Sequence, residues 1–394
     1  MTSAKVPTTD GFIPESDKLG WKNSKTMLTD INHNWTLPLE GGPGDVGFQY
    51  SYMSPAGIQS VPFAFFRNDY LSSKEYRLWY PGSYAMPHGI SMILDGRYGE
   101  GAADWDSTAY NMIVVNETIG FLDHHMESQA SNPFFAYVAL SAVHIPHSPP
   151  DRYIDGTPIA GEYLTKHMDV LGEVDKVIES LTQALEDLNL LNDTIVIFAS
   201  DNGGLSNKLG SPHYSSSGPV LRGSKGQIYE GGHRIPLIMR WDGGSFPSGT
   251  KRSSVLGLSD LYATLCDLVG VNVPDGQAID SVSFADYIYN GKDTKKLRKY
   301  LGVWLHLKGK AQGSIRKKQY KLIYDYKADK KGPERQFYNL DKDLSESKNL
   351  CKKKKCKKKK YKKLMDKMYR ELQRIGPKAA LPTTRPSTNP TAEP

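Results

Sequence analysis

The sequence predicts an α/β fold: a three-layer α/β/α sandwich followed by a small C-terminal antiparallel-sheet subdomain. Three observations carry this. Two short, charge-free apolar runs, Phe134–Leu140 and Thr194–Ser200, bracket one long amphipathic pattern at Tyr163–Leu191. Strand, helix and strand in that order read as a βαβ unit with a right-handed crossover in a parallel-rich sheet. After Gly291 the texture changes to short strand-like runs with turn signals between them, ending in an amphipathic helix.

Each element has its own reason. Residues 1–60 are rich in Gly, Pro, Asp and Ser, lack periodicity and read as loops. Asp106–Met126 places Met112, Val115, Ile119 and Leu122 at helical spacing, and Asn132-Pro133 stops it. In Tyr163–Leu191, the residues Leu171, Val174, Ile178, Leu181, Leu185 and Leu188 form the apolar face, with Glu173, Asp175, Lys176 and Glu179 on the solvent side. The uncharged Thr194–Ser200 reads as a buried parallel strand, and Ile235–Arg240 as a third strand. Ser259 is expected to cap a helix bearing Leu261, Leu265 and Leu268, closed by Gly270. Leu301–Leu307, Ser314–Tyr326 and Gln336–Leu340 read as strands, and Leu364–Ile375 as the final helix. The expected organisation is a large domain over 1–290, a small α+β subdomain over 291–376 with a lysine-rich insertion at 351–363, and a Pro/Thr-rich, disordered 377–394.

Charge excludes one class of function. The 394 residues carry +7, but residues 351–363 hold ten lysines and no acid, so the remainder carries −3. The basic character belongs to one patch, and specific nucleic-acid binding by the whole chain is not expected. That patch reads as a solvated insertion or as a tether for polyanions. The three cysteines, Cys266, Cys351 and Cys356, are too few for a disulfide scaffold and fit no zinc spacing; Cys266 is expected as a buried thiol. There is no apolar run for a signal peptide at residues 1–7 and none of membrane-spanning length. Sequons at Asn34, Asn116 and Asn192 give some support to a secretory route.

The chemistry concentrates in residues 194–236. Asp201 and Asn202 follow the apolar run directly, then Gly203-Gly204 turn the chain away. Ligands in open α/β sheets bind at such carboxyl ends. An adjacent carboxylate and amide offer hard oxygens suited to Ca²⁺, or Mg²⁺, rather than zinc. The same four residues would also make an ordinary turn. Arg222-Gly223-Ser224-Lys225-Gly226 and Glu230-Gly231-Gly232-His233 follow, and His144-Ile145-Pro146-His147 comes straight after Phe134–Leu140.

Together, Asp201-Asn202-Gly203-Gly204, Leu221–Pro236, the strand ending at His144 and Phe337-Tyr338-Asn339-Leu340-Asp341 resemble the sulfatase family of the alkaline-phosphatase superfamily, arylsulfatases in particular, over roughly Trp35–Leu350. The resemblance implies a sulfuric ester hydrolase acting on a sulfate-ester substrate, in a lysosomal or secreted setting. It implies Asp201 and Asn202 as one pair of Ca²⁺ ligands, Lys225 as the cation gripping a sulfate oxygen, and His144 as a sulfate contact and leaving-group acid. His147 competes for that last role, three residues further along; His213 and His233 are weaker candidates.

One departure sets limits. Sulfatases use a Cys-x-Pro/Ala-x-Arg motif whose cysteine becomes formylglycine, the nucleophile. None of the three cysteines here fits it, and the paired aspartates and the Gly-Lys-x-His segment of the family are also absent. The expectation is a chain truncated at its amino end that binds Ca²⁺ weakly, has unpaired strand edges and turns over no sulfate ester. The alternatives are a non-catalytic protein holding sulfated glycans, and a phosphate-ester hydrolase of the same superfamily.

Overall fold

The computed structural model describes residues 34, 36–58, 62–73, 76–79, 99–204, 221–291, 297–307, 310–326, 334–351 and 358–376. The expected disordered tail, most of the N-terminal loops and His213 lie outside them. The chain divides into two compact units, Met1–Leu191 and Asn192–Pro394. The boundary expected at 290/291 lies inside the second.

The first unit opens with short strands: β1 (Tyr52–Met53), β2 (Phe66–Arg67) and β3 (Tyr70–Leu71) form an antiparallel sheet, and β4 (Tyr76–Trp79) pairs β5 (Gly99–Ala102). Helix α1 (Tyr110–Gln129) seats Tyr110 and Val114 against Phe63, Phe65 and Trp105. Its Val115, Met112 and Ile119 meet Val177 and Leu181 of α2 (Lys166–Asp187). Thr165 caps α2, its hydroxyl oxygen accepting from the Met168 N–H at 3.3 Å.

Both helices occur where their periodicity placed them, but α2 is rotated from its expected face. Leu171 is 50% exposed, whereas Glu173 is fully buried. The cause is a polar partner: Asn111 of α1 donates from Nδ2 to Glu173 Oε2 at 3.1 Å. Phe134–Leu140 belongs to no strand among the described residues, and Phe135 is 66% exposed. It is therefore not the buried strand expected; a strand is buried only when neighbours satisfy its backbone on both edges.

In the second unit β6 (Val196–Ala199) pairs with β7 (Leu237–Arg240), Val196 opposite Arg240 and Ala199 opposite Leu237. This corrects the sequence reading: the pair is antiparallel, and β6 is half-buried to exposed rather than sealed. Among the described residues no third strand joins these two, so both lack the flanking cover that buries a central strand. Helix α3 (Glu230–His233) precedes β7, and α4 (Asp260–Val269) and α5 (Ala285–Asn290) follow it. Ser259 makes no side-chain cap. Instead Asp260, itself buried, accepts from Gly257 N–H at 2.8 Å and is bridged by the Arg298 guanidinium. Gly270 ends α4 in the left-handed region (φ 74°), as its position predicted. Cys266 is free and half-buried.

Four strands close the unit: β8 (Leu301–Leu307), β9 (Lys310–Lys317), β10 (Tyr320–Tyr326) and β11 (Glu334–Asn339), antiparallel in the order 11-10-9-8. Alternation splits their side chains between two faces. Ile315, Leu322, Tyr324 and Phe337 face α6 (Lys359–Ile375), which buries Met365, Met368 and Leu372 on them. Ile323 and Tyr338, on the other face, pack with Ile228 and Leu340. Helix α6 starts at Lys359, so the last lysines of the expected insertion belong to a helix; residues 352–357 lie outside the described chain. Cys351 is disulfide-bonded. Among the described residues no helix is long and apolar enough to cross a membrane.

Candidate functional site

In the second unit the residues singled out from sequence converge through backbone hydrogen bonds. Asp201 is exposed and Asn202 half-buried at the end of β6. The Ser200 hydroxyl donates to Asn202 O at 2.9 Å and shapes the turn. The Lys225 N–H donates to Gly204 O at 2.7 Å, and the Gly203 N–H to Gly232 O at 3.0 Å. The Gly231 N–H closes the loop on Arg222 O at 2.7 Å. So the Asp201–Gly204 turn and the Arg222–Gly232 loop are one hydrogen-bonded surface, with the Lys225 side chain exposed on it.

The glycines here are a packing requirement. A Cβ on Gly203 would lie 1.9 Å from Gly231 O, one on Gly231 2.4 Å from Gly223 O, and one on Gly232 2.1 Å from Gln227 O. Only glycine lets three backbone segments approach this closely.

A buried charge network fixes the loop. The Glu230 carboxylate is fully buried. It takes Lys321 Nζ on Oε1 at 3.0 Å and Arg234 Nη1 on Oε2 at 3.1 Å, with Arg316 Nη1 at 3.5 Å. Burial works to raise its pKa, but Lys321 and Arg316 outweigh burial and hold the carboxyl below its ordinary value. Glu346, also buried, accepts the Glu230 N–H on Oε2 at 2.7 Å, and its Oε1 stands 3.0 Å from Lys321 Nζ as a charge contact. Burial pushes the Glu346 pKa up. Arg222 stacks over Tyr229, its Cζ 3.8 Å from the ring centroid, and donates from Nη1 to Tyr338 OH at 3.0 Å and Glu346 O at 3.1 Å. His233 Nε2 contacts Lys321 Nζ at 3.1 Å, and burial and that lysine lower its pKa. The same Nε2 lies 3.2 Å from Ile228 O, which ties the ring to the loop.

Sequence reasoning missed Lys321 and Glu346. Strand alternation held the signal for the first: in Tyr320–Tyr324, Lys321 shares a face with Ile323, which is fully buried. Nothing local marks Glu346 as buried.

The histidines belong to the first unit. His144 is half-buried after Phe134–Leu140, and its Nδ1–H donates to Ile145 O at 2.6 Å, with Nε2 outside that bond. His147 Nε2 lies 3.2 Å from His167 Nδ1. Burial, then the neighbouring His167, depress its pKa to about 4. His147 is therefore neutral at neutral pH and engaged by a partner that the sequence did not reveal. The loop before both is held by Asn111, whose Oδ1 accepts from the Ser141 N–H at 3.1 Å while its Nδ2 binds Glu173.

One carboxylate and one amide oxygen are the right kind of donor for Ca²⁺ or Mg²⁺, but Ca²⁺ takes six to eight oxygens. Among the described residues no group of three or more His, Cys, Asp or Glu could hold a metal ion.

Comparisons with known proteins give the following. Residues 45–271 match the family model described as Sulfatase, and residues 224–376 match N-sulphoglucosamine sulphohydrolase, C-terminal. The chain is 26% identical over 298 residues to a Bacteroides thetaiotaomicron N-acetylgalactosamine-6-O-sulfatase, covering 67% of this chain and 55% of that protein. It is 31% identical over 181 residues to human N-acetylgalactosamine-6-sulfatase, covering 46% of this chain and 32% of that protein. It thus spans about half, or less, of the length of these relatives. A solved B. thetaiotaomicron structure from work on glycosaminoglycan metabolism superposes with a TM-score of 0.67 at 23% identity, covering 86% of this chain and 75% of that one. The i-CgsB structure in complex with a neocarrahexaose gives 0.56 at 25% identity, covering 70% and 57%. The likeness shows the fold: α/β, with a C-terminal antiparallel sheet of four strands.

Proposed function

The chain belongs to the sulfatase family, and from that premise we propose that it carries the sulfate-gripping part of a sulfuric ester hydrolase pocket, without turnover of its own. Lys225 is the cation for the sulfuryl oxygens, beside the oxygens of Asp201 and Asn202. The observation that supports this is the pair of backbone bonds, Lys225 N–H to Gly204 O and Gly203 N–H to Gly232 O, which hold the two segments side by side. Preorganised cations of this kind stabilise charge that develops on a transferring group.

His144 is the better candidate for the leaving-group acid. Its Nε2 is unengaged by the Ile145 bond, whereas His147 is kept neutral by burial and His167. No cysteine of the chain lies in a Cys-x-Pro/Ala-x-Arg context, so the covalent step has no nucleophile here. Asp201 and Asn202 supply two donors of a Ca²⁺ shell at most. The relatives named for N-acetylgalactosamine-6-sulfate suggest a sulfated sugar as the ligand class. A lysosomal or secreted setting agrees with exposed sequon residues Asn116 and Asn192 and with the disulfide at Cys351.

The test has two arms. Purified chain is incubated with 4-nitrophenyl sulfate, and inorganic sulfate is titrated calorimetrically. No nitrophenolate is expected, and Lys225→Ala weakens sulfate binding about tenfold, the size of one charge-assisted contact. Turnover that Asp201→Ala abolishes would overturn the inactive reading; sulfate affinity indifferent to Lys225→Ala would remove the pocket.

A further inference from the structure

Helix α6 presents a row of cations that the described fold engages at its ends, where Lys360 Nζ lies 4.9 Å from the Tyr361 ring centroid and Arg374 meets Glu371. Lys360, Lys363, Lys367, Arg370 and Arg374 recur at spacings of three and four residues, which places them in one row along a single helix face. All five are exposed. Fourteen residue steps from Lys360 to Arg374, at 1.5 Å each, make a row about 21 Å long. The opposite face is the one that buries Met365, Met368 and Leu372. Among the described residues Glu371 is bonded into the row, 2.8 Å from Arg374 at an exposed site.

The arrangement is unfavourable for an isolated helix. Like charges three and four residues apart repel, and the first turn holds no acid, although the positive end of the helix dipole lies there. An external polyanion would offset both effects.

We propose that this row is a binding surface for a linear sulfated polysaccharide, running along α6. Charge complementarity selects a polyanion of at least about 20 Å. One observation favours a glycan over single-stranded nucleic acid. Proteins that bind single strands stack bases on exposed aromatics. Here the aromatics of α6 are committed to the core: Tyr361 packs on Tyr320 and Phe337, and Tyr369 stacks on Tyr324 at 4.2 Å. The choice of a sulfated rather than a carboxylated chain rests on the sulfatase reading; the location of the surface does not.

Binding of the full chain to heparin, to hyaluronan (unsulfated) and to single-stranded DNA is measured by calorimetry across a salt series. The variant Lys363→Gln/Lys367→Gln/Arg370→Gln is compared with Lys251→Gln/Lys299→Gln/Lys342→Gln, which removes equal charge outside α6. The row variant is expected to bind heparin about tenfold or more weakly near physiological salt, with a shallower salt dependence. The control variant binds heparin within about twofold of the native chain, and the row variant binds inorganic sulfate within about twofold, so failure of the sulfate pocket and failure of this surface are told apart. Equal losses in row and control variants, or no loss in the row variant, would overturn the assignment. So would hyaluronan or DNA binding as tightly as heparin. The changed residues are exposed, and unchanged circular dichroism confirms that each variant folds.

Discussion

Glu173→Gln is expected to change how stability depends on pH, and the direction follows from two opposed groups in the first unit. Burial raises the Glu173 pKa from 4.5 to about 7, only partly offset by the bond from Asn111. Between those values the folded chain keeps a proton that the unfolded chain has lost, so stability falls as pH rises through this window. A full displacement of that size corresponds to about 3 kcal/mol, an upper bound. His147 acts the other way: its pKa falls from 6.5 to about 4, so stability is lost as pH drops through that range. His147 is half-buried, and solvent reduces its contribution below the full value. From pH 4.5 to 6.5 the two slopes oppose each other and the native profile is nearly flat in these groups. Glutamine keeps an oxygen for the Asn111 amide but does not titrate. The variant should be roughly 1–3 kcal/mol more stable at pH 8, no different at pH 4, and should lose stability steadily on acidification from 6.5. Urea unfolding followed by far-ultraviolet circular dichroism across pH 4–8 reads all three. A variant profile parallel to the native one would refute the assignment of a protonated, buried Glu173.

Three further outcomes follow from the second unit. Lys321→Met leaves Glu230 and Glu346 buried without their shared cation and should cost about 3–5 kcal/mol, measured by urea midpoint, whereas Glu346→Gln, which keeps shape and an acceptor, should cost far less. Gly203→Ala puts a methyl group 1.9 Å from Gly231 O, so it should destabilise by 2 kcal/mol or more, roughly, and speed hydrogen exchange of the Gly203 and Lys225 amides. Asp260→Asn, which loses the charge facing Arg298, should lower stability by about 2–3 kcal/mol, with the loss seen in thermal unfolding.

What was legible in the sequence is what depends on local period. The helices α1 and α2, the strand β8 and the terminal helix arise from repeats of 3.6 and 2 residues, and those repeats are visible in one dimension; Ser314–Tyr326, expected as one strand, is instead parts of β9 and β10 paired antiparallel across a turn. The errors are of another kind. Glu173 looked like a solvent residue because its acidic neighbours face water; its burial depends on Asn111, 62 positions away. Phe134–Leu140 and Val196–Ala199 have strand composition, but burial is a property of neighbouring strands, and among the described residues those are absent or single. Ile238 of β7, 62% exposed, shows the same thing from the partner strand. The candidate site divides likewise. The glycines around Lys225 were readable as a tight loop, but its dependence on Lys321 and Glu346 was not, because a salt link across about a hundred residues leaves no local trace.

That dependence changes what the C-terminal sheet is for. Its outer face carries α6, as any amphipathic pairing would. Its inner face receives Ile228, Tyr229 and Glu230 of the loop that bears Lys225. Arg222 and Glu230, either side of that lysine, are each anchored to sheet or post-sheet residues, Tyr338 and Glu346 for the first, Lys321 and Glu346 for the second. A buried ion network contributes little net stability against an apolar alternative of the same volume. What it does impose is one geometry, since each carboxylate oxygen accepts only certain positions of its partners. The loop backbone between Arg222 and Glu230 is therefore fixed at both ends while the Lys225 side chain stays exposed. A rigid backbone with an exposed ammonium suits capture of an anion from solvent, because the ordering that binding would otherwise require is already done by the fold.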